Sequence, residues 1–106
     1  MKKALRLFIA LHLLAQLTFA GEDSKHNYKP EAGYVPDAGT AIKIAVAIWS
    51  PIYGEKQIST EKPYNAVLTN GVWVVQGSLP KGLVGGVAVA EISKDDGKIL
   101  RVSHGQ

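Results

Sequence analysis

The sequence contains no cysteine. Disulfides, thiolate metal sites and a lipid-modified cysteine are therefore excluded. Phenylalanine is restricted to Phe8 and Phe19, at the very start. No apolar run approaches the roughly 20 residues a membrane-spanning helix needs. Metal-binding patterns such as H-E-x-x-H are also missing, and nothing resembling a nucleophile elbow surrounds any serine. Beyond residue 20 there is no excess charge of one sign. The chain carries 12 Lys+Arg against 9 Asp+Glu, and three of those cations are Lys2, Lys3 and Arg6. Without them the balance is nine to nine, with the cations scattered singly. A nucleic-acid partner, which needs a clustered basic surface, is not expected.

What is present begins with a targeting segment. MKKALR is a basic n-region, Leu7 to Leu17 forms an h-region of eleven mostly apolar residues, and Thr18-Phe19-Ala20 offers small residues for cleavage before Gly21. That layout predicts a secretory signal peptide over residues 1–20, cleaved after Ala20. An uncleaved anchor is the alternative, disfavoured by its shortness. The short n-region fits bacterial export, so a periplasmic protein without a stable membrane anchor is expected. The remaining 86 residues make one small domain. Its core lies near the lower limit for independent stability, so it must rely on packing or on a partner that binds the folded state.

Residues 21–33 are polar, rich in charges with Gly and Pro, and read as a flexible leader. The folded domain is expected over residues 34–106. Within DAGTAIKIAVAIWS two patterns compete. Ile42, Ile44, Val46 and Ile48 alternate as in a strand, whereas Ala41, Ala45, Ile48, Trp49 and Ile52 recur at helical spacing. The length, the alanines and the capping oxygens of Asp37 and Thr40 favour a helix over 38–50. Pro51 is expected to stop or kink it, and Gly54 to release the chain.

The rest reads as β-structure. PYNAVLT (63–69) meets VWVVQG (72–77) across Asn70-Gly71, the strongest short hairpin signal. SLPKGLVGG is a glycine-rich loop. GVAVAEIS (86–93) and KILRVSH (98–104) flank the turn Lys94-Asp95-Asp96-Gly97. The expected class is α+β: one N-terminal helix packed on a four-stranded antiparallel meander.

Chemistry-bearing motifs are few. KGLVGG has glycines, but Val87 follows where a P-loop needs Lys-Ser/Thr, so it reads as a connection. Ser78, His104 and Asp95 form a triad only on paper. His26 and His104 make no ligand pattern, and neighbouring Asp95 and Asp96 suit a turn. Trp49, Tyr53, Tyr64 and Trp73 are the bulky residues available. They are expected first as core and helix-end closure, and second as an interface rim.

Three stretches together carry a resemblance: YVPDAGTAIKIAVAIWSPIYGEKQI, EKPYNAVLTNGVWVVQGSLP and GGVAVAEISKDDGKILRVSHGQ. In order and spacing they are similar to the nuclear-transport-factor-2-fold immunity proteins of bacterial polymorphic toxin systems, over residues 34–106. The resemblance implies a reduced or dimer-completed nuclear-transport-factor-2-like layer, also describable as cystatin-like. It implies a non-enzymatic inhibitor with no cofactor and no metal. Its partner would be a cognate protein toxin, and a homodimer is a further expectation. Combined with export, the toxin would act in the periplasm. Contact residues vary with the toxin, so no position transfers. The elements expected to touch a partner are Tyr53 and Glu55 at the helix end, Leu79, Lys81 and Leu83 in the loop, and Asp95 and Asp96 in the last turn. The competing expectation is an inhibitory or regulatory module binding a self peptidase or a cell-wall ligand. A small envelope enzyme stands third.

Overall fold

The computed structural model describes residues 26–105. The expected signal peptide, its cleavage point and the first five leader residues lie outside the described residues. Helix α1 is Ala38–Tyr53 and helix α2 is Glu55–Ser59. They are followed by strands β1 (Asn65–Thr69), β2 (Val72–Gln76), β3 (Ala88–Ser93) and β4 (Ile99–His104). The strands form one antiparallel sheet in the order β1-β2-β3-β4. The helix-plus-meander expectation is met, with each strand a residue or two shorter than its sequence pattern.

Helix α1 starts where the Asp37 carboxylate accepts the Thr40 N–H at 2.7 Å. That bond holds the Asp37 carboxyl below its ordinary value. The buried stripe is Ala41, Ala45 and Trp49, spaced at i, i+4 and i+8. Helical spacing therefore wins over the strand-like alternation. The two alanines meet Ala88 and Ala90 of β3 in the same core, so helix and sheet approach closely. Trp49 fills the remaining volume, its indole N–H donating to the Val89 carbonyl at 3.2 Å. Trp73 is likewise buried and donates to the Val35 carbonyl at 2.8 Å.

The helix end differs from the sequence expectation in two respects. Pro51 does not stop α1, which continues to Tyr53. A proline in the last turn removes only the bond to the Ala47 carbonyl. The Gly54 N–H still reaches Ser50 O at 2.8 Å, and the Ser50 hydroxyl donates to Val46 O. The chain then enters α2, which had no counterpart in the sequence reading. Its one buried residue is Ile58, whose carbonyl accepts the Tyr64 hydroxyl at 2.8 Å.

The first hairpin closes as its sequence demands. Asn70 has φ 49° and Gly71 φ 76°, both left-handed, with Thr69 opposite Val72. Cα partners place Ala66, Trp73, Val75, Ala88, Ala90, Ile92, Val102 and His104 on the helix side. The chain before α1 is tied down upstream of the expected boundary at Tyr34. Lys29 pairs with Asp95 at 2.7 Å, and the Tyr34 and Val35 N–H groups donate to Asp95 O and Lys94 O.

Candidate functional site

The site lies at the end of the sheet where β2 finishes, β3 begins and β4 ends. Its floor is Glu61, in the link between α2 and β1 and only 2% exposed. A buried carboxylate is costly unless fully hydrogen-bonded. Here Oε1 accepts the Ala88 N–H at 2.8 Å, while Oε2 accepts from Gln57 at 3.3 Å and from His104 Nε2 at 2.7 Å. The side chain enters because residue 77 is glycine: a Cβ there would stand 2.7 Å from Oε1. The Glu61 carbonyl also accepts the Ser78 N–H at 2.6 Å. One residue thus joins α2, β2, β3 and β4.

His104 completes the pair. Its Nδ1 lies 2.7 Å from the Gly105 carbonyl oxygen and its Nε2 faces the Glu61 carboxylate. With Glu61 ionised neither oxygen has a proton to give, so in that state both ring nitrogens donate and the ring carries a charge. The Tyr53 ring lies against it, with centroids 5.1 Å apart. The hydrogen bond to Glu61, then that to Gly105, raises the His104 pKa against an opposing burial effect. For Glu61, burial pushes the carboxyl up. The Ala88 N–H, His104 and Gln57 outweigh that and hold it below its ordinary value.

A pH dependence follows from these directions. The raised His104 contributes its full stability below the ordinary histidine value of 6.5 and loses it as pH climbs through the folded value. The depressed Glu61 contributes fully above 4.5 and loses that as pH falls through its folded value. The pair is complete between those limits. Thermal unfolding of the native chain and of His104→Asn is expected to differ most there, with the gap closing as pH rises beyond the ordinary histidine value of 6.5. A gap constant from pH 5 to pH 9 would show that the imidazole acts only by packing.

Above this floor opens a groove of about 540 Å³, walled by Gln57 and Thr60 on one side and by the β2–β3 loop on the other. Leu79, Pro80, Leu83 and Val84 line it, and Val84 is 97% exposed. Of the residues expected to meet a partner, Leu79 and Leu83 line the groove, and Tyr53 adjoins it through His104. Lys81 is exposed at the loop tip, and Glu55 is exposed on the first turn of α2. Asp95 and Asp96 are not brought to this site. They lie at the opposite end of the sheet, where Asp95 pairs with Lys29 and Asp96 accepts the Lys98 N–H at 3.0 Å. The paper triad of Ser78, His104 and Asp95 is not assembled either: the Ser78 hydroxyl donates to Pro63 O, and His104 pairs with Glu61. The sequence reading passed over Glu61. Its available signal was strand parity, since His104 shares the face of Val102 and a polar group on that face requires a partner.

Among the described residues, no group of three or more His, Cys, Asp or Glu is placed to hold a metal ion. No helix among them is long and apolar enough to cross a membrane. No solved structure matches the chain. Two proteins of Escherichia coli strain K12 are similar to it in sequence. The uncharacterized protein YhhH is 33% identical over 85 residues, covering 74% of this chain and 67% of that protein. The uncharacterized protein YbbC is 38% identical over 65 residues, covering 60% and 53%. The chain therefore spans about two thirds of one relative and about half of the other. The family described as NTF2 fold immunity protein matches residues 40–106, from the first turn of α1 through the whole sheet to the His104 end of the groove. By that match, with a helix packed on a four-stranded antiparallel sheet consistent with its fold, this chain belongs to the NTF2 fold immunity protein family.

Proposed function

We propose that this chain is an exported immunity protein that binds and occludes a toxin acting in the periplasm. Membership of an immunity family supports a toxin-neutralising role. The groove carries the reading further. Its polar floor is internally satisfied, with Glu61 and His104 spent on each other, while its rim presents Leu79, Leu83 and Val84 to solvent. A satisfied floor beneath an apolar rim suits the burial of a partner's surface. Export is supported by the layout of residues 1–20, because an antidote must reach the compartment in which its toxin works.

The test is survival in contact with sister cells. A strain lacking the chain is expected to be killed by its parent. The full chain should rescue it, whereas a version lacking residues 2–20 should not. Survival of the deleted strain would remove the immunity reading, and rescue by the unexported version would remove the periplasmic one. At the groove, Leu83→Asp places a charge on the apolar rim. It is expected to weaken capture of the toxin by at least about tenfold while leaving the melting temperature unchanged. Undiminished protection by that variant would take the groove out of the interface.

A further inference from the structure

We infer that strand β1 is an association edge, and that its occupant is β1 of a second copy of this chain. The argument starts from backbone accounting. The Gly77 N–H donates to Ala88 O and the Lys94 N–H to Gly71 O, so residues 71, 73, 75 and 77 of the β2 line turn their backbone groups toward β3. Val72, Val74 and Gln76 therefore bond to β1, through Thr69, Val67 and Asn65. The N–H and C=O groups of Ala66 and Leu68 point outward, and β1 is the first strand of the sheet. Four of its five residues are exposed, Val67 by 60% and Leu68 by 44%.

Edge strands are usually blunted by charge, proline or a bulge. The other edge, β4, follows that rule, with Arg101 on it, Lys98 before it and a bulge opposite Glu91 and Ile92. Within Asn65–Thr69 strand β1 carries no charge, proline or bulge, Lys62 and Pro63 lying before it. It reads Asn-Ala-Val-Leu-Thr, which is symmetric in character about Val67. Two copies laid antiparallel about a two-fold axis at Val67 bring Ala66 opposite Leu68 of the other copy. Each such pair exchanges both of its outward backbone bonds. Val67 then faces its own copy as a close, non-hydrogen-bonded pair. Asn65 faces Thr69, an amide against a hydroxyl. On the outer face Val74 flanks Val67 in each copy, so the axis sits in a continuous valine row. The interface is self-complementary, as two-fold association requires.

The experiment is sedimentation of the chain, as recovered from expressing cells, over a concentration series reaching millimolar. A dimer that dissociates on dilution is expected. Val67→Lys and Val67→Glu should each stay monomeric, because like charges would meet on the axis. Mixed in equal amounts, the two should form a one-to-one heterodimer, a rescue that a misfolded variant could not show. Because the chain has no cysteine, Val67→Cys should cross-link to a dimer on oxidation, whereas Thr69→Cys, which faces Asn65, should not. A monomer at every concentration overturns the inference. So does a dimer unaffected by Val67→Lys, or equal cross-linking at both positions.

Discussion

Replacing Glu61 by alanine is expected to cost about 3 kcal/mol of folding stability, near the lower value found when one partner of a buried ion pair is removed. The reasoning concerns what stays behind. The Ala88 N–H, the Gln57 amide and the His104 imidazolium all donate to this carboxylate. Without it, a buried backbone donor and a partly buried cation lose their acceptor together. Gly77 adds to the loss, because its missing Cβ leaves an empty space where the carboxylate stood. Urea unfolding of Glu61→Ala, with amide exchange at Ala88, reads both parts. A double-mutant cycle with His104→Ala apportions the pair. A change below about 1 kcal/mol would mean that water replaces the carboxylate without penalty.

Trp49→Ala should be at least as damaging, by about 3–5 kcal/mol. Trp49 is fully buried in the core shared by α1 and the sheet, with Tyr64 at 5.9 Å between ring centroids. Its neighbours along the stripe are alanines, which cannot move in to fill the space. For a domain this small the loss approaches the whole folding free energy, which is about 5–15 kcal/mol for typical domains. Trp49→Phe keeps most of the ring and removes the N–H donated to Val89 O. It is expected to cost about 1–2 kcal/mol, the scale of one unmet buried acceptor plus a small cavity. Far-ultraviolet circular dichroism against urea distinguishes the two. A folded, cooperative Trp49→Ala protein near native stability would show that α1 is held by its flanking Ile42, Ile44 and Val46 contacts instead.

These residues also show what the sequence made legible. Asn70-Gly71 specified its hairpin because these two residues best tolerate the left-handed backbone that a type I′ turn needs at both central positions, and that constraint is local. Asp37 marked the start of α1 for the same kind of reason. The end of α1 was not legible, since whether a last-turn proline ends a helix depends on bonds beyond it, here from Gly54 to Ser50. The loop Ser78–Gly85 is an expected contact element, and its residues from Leu79 onward form one wall of the groove. Glu61 was passed over because its partners are remote in the chain and no motif spaces them. Asp95 and Asp96 share that expectation because they sit in a connecting turn, and the meander carries them to the other end of the sheet.

The links from Glu61 also bear on the order in which the chain assembles. Each hairpin joins residues close together in the chain, whereas the carboxylate reaches 27 residues ahead to Ala88 and 43 ahead to His104. Long-range closures of this kind pay their chain entropy before any contact rewards it, so they come late in folding. The groove is consequently a property of the finished fold: an intermediate with both hairpins formed but not yet packed together has no floor to it. A chain built this way presents its groove only once the two hairpins have come together.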